Sequence, residues 1–167
     1  MSTLPTTSQA FTKEEVKCLA DNIYFESRNE YTRGQLAVAF VVMNRVADFR
    51  FPNNICDVVY QGPTRPSWKN KSVYYPVRHR CQFSWYCDGK ADTVYEHTTY
   101  EEIYNMTYAF LFKYKTGYWK GYDFTDGATH YHADYVLPEW AETKTKTIKI
   151  GSHIFYRWEL PNGYSNK

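Results

Sequence analysis

Three segments of the chain place apolar residues at helical spacing. The first follows Thr12, which has the capping-box spacing of a helix N-terminus with Glu15, and it predicts a helix over 13–28. One face of this helix carries its apolar residues: Val16, Leu19, Ala20 and Ile23. An amphipathic helix of this kind packs one side against a core.

The second helix is apolar nearly all round. Thr32 and Gln35 repeat the capping signature before it, and the pattern predicts a helix over 32–48. Because a helix without a polar face is buried, we expect it to be the central helix of the domain. A third helix is predicted over 100–115, with Thr99 as its cap.

The remainder of the chain lacks helical periodicity. Residues 49–95 are rich in Pro, Asn, Gly and aromatics, with one short predicted helix at 53–61. Long irregular segments inside a compact domain are usually functional. Two later runs, 128–136 and 146–158, read as strands, the second with alternating apolar residues. Helices followed by strands predict an α+β fold.

These elements fit a single domain over 12–160, with a disordered lead over 1–11 and a C-terminal tail over 161–167. The N-terminal stretch lacks the basic start and apolar run of a secretory signal. The longest apolar stretch, 36–43, is far too short to span a membrane. We therefore expect no signal peptide and no membrane insertion.

Aromatic residues make up 19% of the chain, and 17 of them are Tyr. Tyr and Trp combine a flat apolar face with a polar group, which suits a wet core or a groove for sugars, peptides or bases. The net charge of +2 and the absence of a long basic run give no reason to expect nucleic acid as a partner.

The four cysteines leave the redox state open. Reduced, buried thiols are the simplest interpretation. A disulfide among Cys56, Cys81 and Cys87 is the second, and a zinc site is the third. The gap between Cys81 and Cys87 does not match the usual spacing of zinc ligands.

Two carboxylates occur in "NIYFESRNE", residues 22–30. Glu26 lies at the margin of the apolar face of the first helix, where loss of water raises the pKa of a carboxyl toward that of a general acid. A plain hydrogen bond, or an ion pair with Arg28, Arg33 or Arg45, is the structural alternative for Glu26. Glu30 is more central in helical phase but falls in the turn that follows, where it is expected to brace the loop.

Two further segments carry candidate chemistry. "CQFSWYCDG", residues 81–89, offers the rings, amide and hydroxyl of a sugar groove, or alternatively a packed loop with a core Trp. His130 and His132 lie on one side of a predicted strand and could bind zinc with His153, although no HExxH motif is present. No G-x-S-x-G segment or Gly-rich phosphate loop occurs.

Five ordered segments together resemble the SleB-type cell-wall hydrolases, a family that includes spore-cortex-lytic enzymes and phage relatives. The segments are CLADNIYFESRNEYTRGQLAVAFVVMNRV, FPNNICDVVYQ, CQFSWYCDG, GATHYHADYVLPEWA and IGSHIFYR. They span about residues 16–157. The resemblance implies a lysozyme-like α+β domain, with a helical lobe and a small antiparallel sheet. It also implies cleavage of peptidoglycan glycan strands between N-acetylmuramic acid and N-acetylglucosamine.

In the family, the catalytic glutamate is the first acid of an E-A-R-G-E segment, and Glu26 occupies that position here. Ser27 replaces the Ala of that segment and Asn29 replaces its Gly, and neither change removes the acid. Beside Glu26, the substrate groove is expected to be lined by Gln82, Phe83, Ser84, Trp85, Tyr131, His132 and Trp140. Neither a cofactor nor a metal is expected, and the chain is expected to be a monomer.

The spore enzymes of the family act as lytic transglycosylases, which implies a single acid that donates a proton and then accepts one. Hydrolysis would need a second carboxylate, for which Glu30, Asp88 and Asp134 are available. The residues also leave open a zinc amidase or peptidase that uses the three histidines, and a non-catalytic wall-binding module. The sequence fits a compact phage endolysin and equally an exported bacterial enzyme whose signal lies outside this chain.

Overall fold

Four helices and five short strands make up the fold in a computed structural model, which describes residues 10–167. The helices are α1 (Lys13–Ser27), α2 (Thr32–Ala47), α3 (Ile55–Val59) and α4 (His97–Lys115). The strands are β1 (Thr64–Pro66), β2 (Tyr74–Pro76), β3 (His130–Ala133), β4 (Thr145–Ile150) and β5 (His153–Arg157). Single 3₁₀ turns cover Ser84–Cys87 and Glu139–Thr143.

The start of α1 is as the sequence predicts. The backbone N–H of Glu15 donates to Thr12 Oγ1 at 3.1 Å, and the N–H of Thr12 donates to Glu15 Oε1 at 3.2 Å. This reciprocal pair satisfies two N–H groups that a helix start otherwise leaves without partners. The helix ends at Ser27, with Arg28 as its C-cap.

The predicted caps of α2 and α4 are wrong. The N-cap of α2 is Tyr31, without a side-chain hydrogen bond, and Gln35 Nε2 donates instead to the carbonyl of Ser27 at 3.4 Å. Helix α4 begins before the predicted Thr99 cap, and the backbone N–H of its N-cap, Glu96, donates to the hydroxyl of Tyr24 at 3.2 Å. Tertiary contacts therefore fix these two ends in place of local caps.

Helix α2 is the central element, as its pattern predicts. Seven consecutive residues, 37–43, are each at most 2% exposed. One side of α2 packs in the main core with α1, α3 and α4. Its other side contributes Ala37 and Val41 to a second cluster with Phe155 of the sheet. A single helix thus joins the helical lobe to the sheet.

The predicted strand over 146–158 is a hairpin. It reverses at Gly151, whose φ of +56° favours glycine, and it gives β4 and β5 of an antiparallel sheet in the order β3-β5-β4. A Cβ on Gly151 would lie 2.5 Å from Glu30 Oε2, so a side chain there would also displace that carboxylate. Of the predicted strand over 128–136, only residues His130–Ala133 form a strand, β3, which pairs with β5.

All four cysteines are paired in disulfides, so the interpretation as reduced thiols is wrong. Cys18 joins Cys56 across α1 and α3, with 5.3 Å between their Cα atoms. Cys81 joins Cys87 within the irregular segment, with 6.1 Å between Cα atoms. Both separations lie in the ordinary range for disulfides. Cys18 could not be paired from the sequence because its position on the face of α1 toward α3 is a tertiary fact.

The ends of the chain pack more closely than predicted. The predicted disordered lead falls mostly outside the described residues, but Phe11 packs its ring against that of Tyr114. In the predicted tail, the backbone N–H of Lys167 donates to the carbonyl of Ala47 at 2.7 Å. Within residues 10–167 no helix is long and apolar enough to cross a membrane.

Candidate active site

A cleft of about 430 Å³ opens between the last turn of α1, the sheet and the loop closed by Cys81 and Cys87. We call residues 81–87 the cleft loop. The cleft is lined by Glu26, Arg45, Gln82, Phe83, Ser84, His130, Tyr131, His132, Ala133, Tyr135, Val136, Trp140 and His153. A second depression, of about 320 Å³, shares Glu26 and His153 with it and continues toward Glu30. Glu26 therefore lies where two stretches of one groove meet.

Glu26 is half-buried, with its carboxylate held by the sheet. The hydroxyl of Tyr131 on β3 donates to Glu26 Oε2 at 2.7 Å. Burial raises the pKa of Glu26, while the Tyr131 hydrogen bond and the positive charge of Arg45 act in the opposite direction and only partly offset it. A carboxyl whose pKa is raised toward neutrality can hold a proton and release it to a substrate.

Tyr131 is a permanent hydrogen-bond donor to this carboxyl. Burial and the neighbouring Glu26 carboxyl raise the pKa of Tyr131 well above its usual value, so its hydroxyl stays protonated. Its ring packs against those of His153 and Phe155, with centroids 4.9 and 5.4 Å away. These contacts fix the direction of the hydroxyl, and hence the position of Oε2 of Glu26.

Arg45, on α2, lines the cleft and acts on the charge of Glu26, whereas the sequence indicates it only as one of three possible ion-pair partners of that residue. Its side chain is 4% exposed, and Nε donates to the carbonyl of Thr129 at 2.7 Å. The guanidinium lies over the rings of Phe51 and Phe83, about 5 Å from each centroid. Burial lowers its pKa to about 10, which leaves it charged at neutral pH. The signal was present in the sequence: an arginine continues the buried face of the most apolar helix.

Most of the predicted groove residues come together around Glu26. Gln82, Phe83, Ser84, Tyr131, His132 and Trp140 all line the cleft. Phe83 is only 3% exposed, so it supports the wall beneath Arg45 more than it offers a free surface. Trp140 packs against His130 and His132. A binding role for these side chains remains a prediction.

Trp85 does not line the cleft with the others. Its indole Nε1 donates to Asn22 Oδ1 at 2.9 Å, and its ring stacks on Phe25 at 4.7 Å between centroids. The side chain is 8% exposed and borders a separate pocket with Tyr60 and Tyr100. Within the 3₁₀ turn, neighbouring side chains point in different directions, so Ser84 faces the cleft and Trp85 faces the core.

The three histidines do not assemble a zinc site. Nδ1 of His132 donates to the carbonyl of Ala133 at 2.7 Å, and its Nε2 accepts from the hydroxyl of Tyr156 at 2.9 Å. Burial lowers the pKa of His130 to about 3, and His153 lies beside Glu30 instead. Among residues 10–167 no three His, Cys, Asp or Glu side chains are grouped to hold a metal ion.

Glu30 follows the end of α1, as predicted, but the turn that it braces is a different one, between β4 and β5. Its Oε1 accepts from the backbone N–H of Ser152 at 3.1 Å and from the Ser152 hydroxyl. Asp134 pairs with Lys149 at 3.2 Å, and Asp88 accepts from the backbone N–H of Lys90. In the part of the chain that the structure describes, Glu26 is the only carboxylate that lines the main cleft.

A family model and several curated proteins match this chain. The sequence model of the family described as Cell Wall Hydrolase matches residues 29–156, a range that begins just after Glu26. A spore cortex-lytic enzyme from Bacillus cereus is 25% identical over 146 residues, which cover 87% of this chain and 45% of that protein. One from Halalkalibacterium halodurans is 24% identical and is covered over 35% of its length. The chain thus spans less than half of these relatives.

Two solved structures share the fold. The catalytic domain of the Bacillus cereus SleB protein superposes with a TM-score of 0.60 at 23% identity, covering 94% of this chain and all of that domain. The catalytic domain of the germination-specific lytic transglycosylase SleB from Bacillus anthracis gives a TM-score of 0.59 at 25% identity, covering 90% of this chain and 99% of that one. The predicted lysozyme-like α+β fold is confirmed.

Proposed function

This chain belongs to the family of cell wall hydrolases, and on that premise we propose that it cleaves peptidoglycan glycan strands between N-acetylmuramic acid and N-acetylglucosamine. The observation that carries the proposal is the single cleft carboxylate, Glu26, whose pKa is raised by burial and whose position is fixed by Tyr131. A raised pKa is what a general acid needs to protonate a glycosidic oxygen near neutral pH.

In the first step, protonated Glu26 gives its proton to the bridging oxygen as the bond from that oxygen to C1 of the muramic acid breaks. The leaving sugar departs with a new hydroxyl group, and the electron pair of the broken bond stays on its oxygen. Glu26 is left as a carboxylate, which accepts the Tyr131 hydrogen bond and faces the positive charge of Arg45. Both interactions favour the charged form and lower the cost of this step.

In the second step, the Glu26 carboxylate takes the proton of the C6 hydroxyl while that oxygen bonds to C1. The product is a 1,6-anhydro sugar, and Glu26 returns to its protonated form without consuming water. One carboxyl serves both steps, which agrees with the cleft, where Glu26 is the one carboxylate among residues 10–167. Two-carboxylate hydrolysis would need a partner across the sugar. Glu30, which lines the adjoining depression, accepts a hydrogen bond from Ser152.

The products of digestion test this proposal. We expect mass spectrometry of digested peptidoglycan to find muramic acid ends that are lighter by one water than reducing ends. Reducing ends alone would show hydrolysis and would remove the transglycosylase step while keeping glycan cleavage. No release of glycan fragments would instead favour a wall-binding module. The site of action is the bacterial wall in each case, and monomeric state and phage origin remain predictions.

Tyr131→Phe is expected to move the pH profile of cleavage toward higher pH. The Tyr131 hydrogen bond stabilises the charged form of Glu26 and so lowers its pKa, and its removal therefore raises that pKa. Activity that needs protonated Glu26 is present below this pKa and is lost as the pH rises through it. The descending, high-pH limb of kcat/KM should thus shift upward, as measured on soluble glycan fragments.

Tyr156→Phe is the matched control. The hydroxyl of Tyr156 also belongs to the sheet beside the cleft, but it donates to His132 and not to Glu26. The high-pH limb of this variant should stay at the position of the unmodified protein. An equal shift in both variants would show that the limb does not report on Glu26.

A further inference from the structure

A short hairpin beside the cleft, residues 63–80 with strands β1 and β2, holds an unusual share of the positive charge. Residues 58–87 contain five of the 20 Lys and Arg of the chain and none of its 18 Asp and Glu, so this segment carries +5 and the rest carries −3. The five cations are Arg65, Lys69, Lys71, Arg78 and Arg80. All are exposed, and within residues 10–167 none of them forms an ion pair. The small net charge of the chain conceals this asymmetry.

Aromatic rings lie among these cations. Trp68 is 86% exposed, Tyr74 is 63% exposed and Tyr75 is 55% exposed, although large rings are normally at least partly covered. Tyr75 on β2 is the cross-strand partner of Arg65 on β1, so a ring and a guanidinium share one face of the hairpin. Rings that stack on sugars and cations that pair with carboxylates are the two components of a site for an acidic glycan.

The hairpin is anchored at the cleft. At its base, the backbone N–H of Val77 donates to the carbonyl of Pro63 at 2.9 Å, and the N–H of Gln82 donates to that of Gln61 at 2.9 Å. Gln82 lines the cleft and lies six positions after Pro76, the end of β2, which is about 20 Å of chain at full extension. The N–H of His79 also donates to the carbonyl of Cys87 at 2.8 Å. A polymer bound in the cleft thus passes within reach of the hairpin.

Resting on the proposed function, we infer that this hairpin, residues 63–80, binds the carboxylate-bearing peptide stems of the glycan strand that occupies the cleft. Muramic acid carries short peptides with free carboxylates, so the strand is a polyanion with sugar faces between its charges. That pattern is complementary to exposed cations interleaved with exposed rings.

A lipid surface fits the hairpin less well. The four residues at its tip, Lys69–Ser72, are polar, and two of them are charged. Insertion of the tip into a bilayer would therefore take two ammonium groups out of water. Interfacial binding proteins instead present a continuous apolar face with cations beside it. The site is better suited to a hydrated, acidic polymer.

The test compares a triple variant, Arg65→Gln with Lys69→Gln and Lys71→Gln, with a control that changes charge equally elsewhere. The control is Lys13→Gln with Lys120→Gln and Lys146→Gln, three exposed lysines without ion pairs in the described residues. Binding is measured by co-sedimentation at 4 °C with purified sacculi free of lipid and wall polymers, at low and high salt. Circular dichroism checks folding, and Trp68→Ala is a second, independent variant.

We expect the hairpin variant to bind sacculi roughly five- to tenfold more weakly than the unmodified protein at low salt, with a smaller difference at high salt. The control variant should bind normally. Removing the stems with an amidase should weaken binding of the unmodified protein to a similar degree. Cleavage of short, stem-free glycans should be the same in all three proteins, because the hairpin lies outside the cleft.

Three results would overturn the inference. They are unchanged sacculus binding by the hairpin variant, unchanged binding of the unmodified protein after stem removal, or hairpin-dependent binding only to vesicles of phosphatidylcholine and phosphatidylglycerol. Failure of the proposed function is separate, since it would abolish cleavage of stem-free glycans in every variant while leaving the binding comparison intact.

Discussion

Glu26→Gln is expected to reduce the rate of glycan cleavage by about a thousandfold, within the range that general acid–base catalysis supplies. Glutamine keeps the size of the side chain and can still accept the hydrogen bond from Tyr131, but it cannot give a proton to the glycosidic oxygen. The measurement is release of soluble fragments from purified peptidoglycan under conditions where the unmodified protein is active.

The same substitution should not destabilise the fold. The pKa of Glu26 is raised by burial, so the folded state holds the proton more tightly than the unfolded state does. Between the unfolded and the folded pKa the folded state therefore binds more protons, and stability falls as pH rises through that window. Glutamine removes this penalty. The thermal midpoint at neutral pH should stay the same or rise, while the rate collapses.

Glu30→Gln is the matched control, since it makes the same chemical change four residues later. Its carboxylate accepts from the backbone N–H and the hydroxyl of Ser152, so we expect a loss of about 1–2 kcal/mol in unfolding free energy and an activity within about tenfold of normal. Equal loss of activity in both variants would contradict the single-acid scheme and would make Glu30 the second carboxylate of a hydrolase.

Local signals predicted the parts of the fold that depend on neighbouring residues. The capping box of Thr12 and Glu15 forms as expected, because both partners lie within one turn. The apolar run of α2 predicted burial because it leaves no polar face. By contrast, the start of α4 depends on the Tyr24 hydroxyl, far away in sequence, and no local pattern contains that contact.

The strand prediction over 146–158 failed at one residue. Alternation on both sides of Gly151 hid the reversal there, and glycine suits that position because its φ is +56° and Glu30 fills the space that a Cβ would take. Glu30 was predicted to brace the turn that follows α1, and its contact with Ser152 in the distant hairpin was not expected. A contact of this kind between distant segments cannot be derived from periodicity.

In the candidate site, too, the sequence predicts what depends on neighbouring residues and misses what depends on contacts between distant segments. Glu26 could be found because its place at the margin of an apolar helix face is a local property, and the family resemblance selected it over Glu30. Trp85 was wrongly grouped with its neighbours because composition does not tell which side of a 3₁₀ turn faces the cleft. Arg45 could be named only as one of three possible ion-pair partners of Glu26, because the residues that place it, Thr129 and Phe83, come from other segments.

Arg45 joins the two halves of the site, and Arg45→Met is expected to reduce cleavage by about tenfold or more. Its positive charge lowers the pKa of Glu26 and favours the carboxylate that forms after proton donation. Without that charge the pKa of Glu26 rises, so the high-pH limb of kcat/KM should move upward while the maximum rate falls. Rates measured across pH on soluble glycan fragments would show both effects.

The stability of Arg45→Met should change much less than its rate, because two effects oppose each other. The carbonyl of Thr129 loses its donor, which costs about 1–3 kcal/mol, but the cost of burying a guanidinium disappears as well. Arg45→Lys tests the charge separately from the shape of the side chain. Lysine keeps the positive charge, but it lacks the planar guanidinium that packs over two aromatic rings and donates to the carbonyl of Thr129. Its high-pH limb should stay near that of the unmodified protein. If the limb does not move in Arg45→Met either, Arg45 acts only in packing and not on the proton of Glu26.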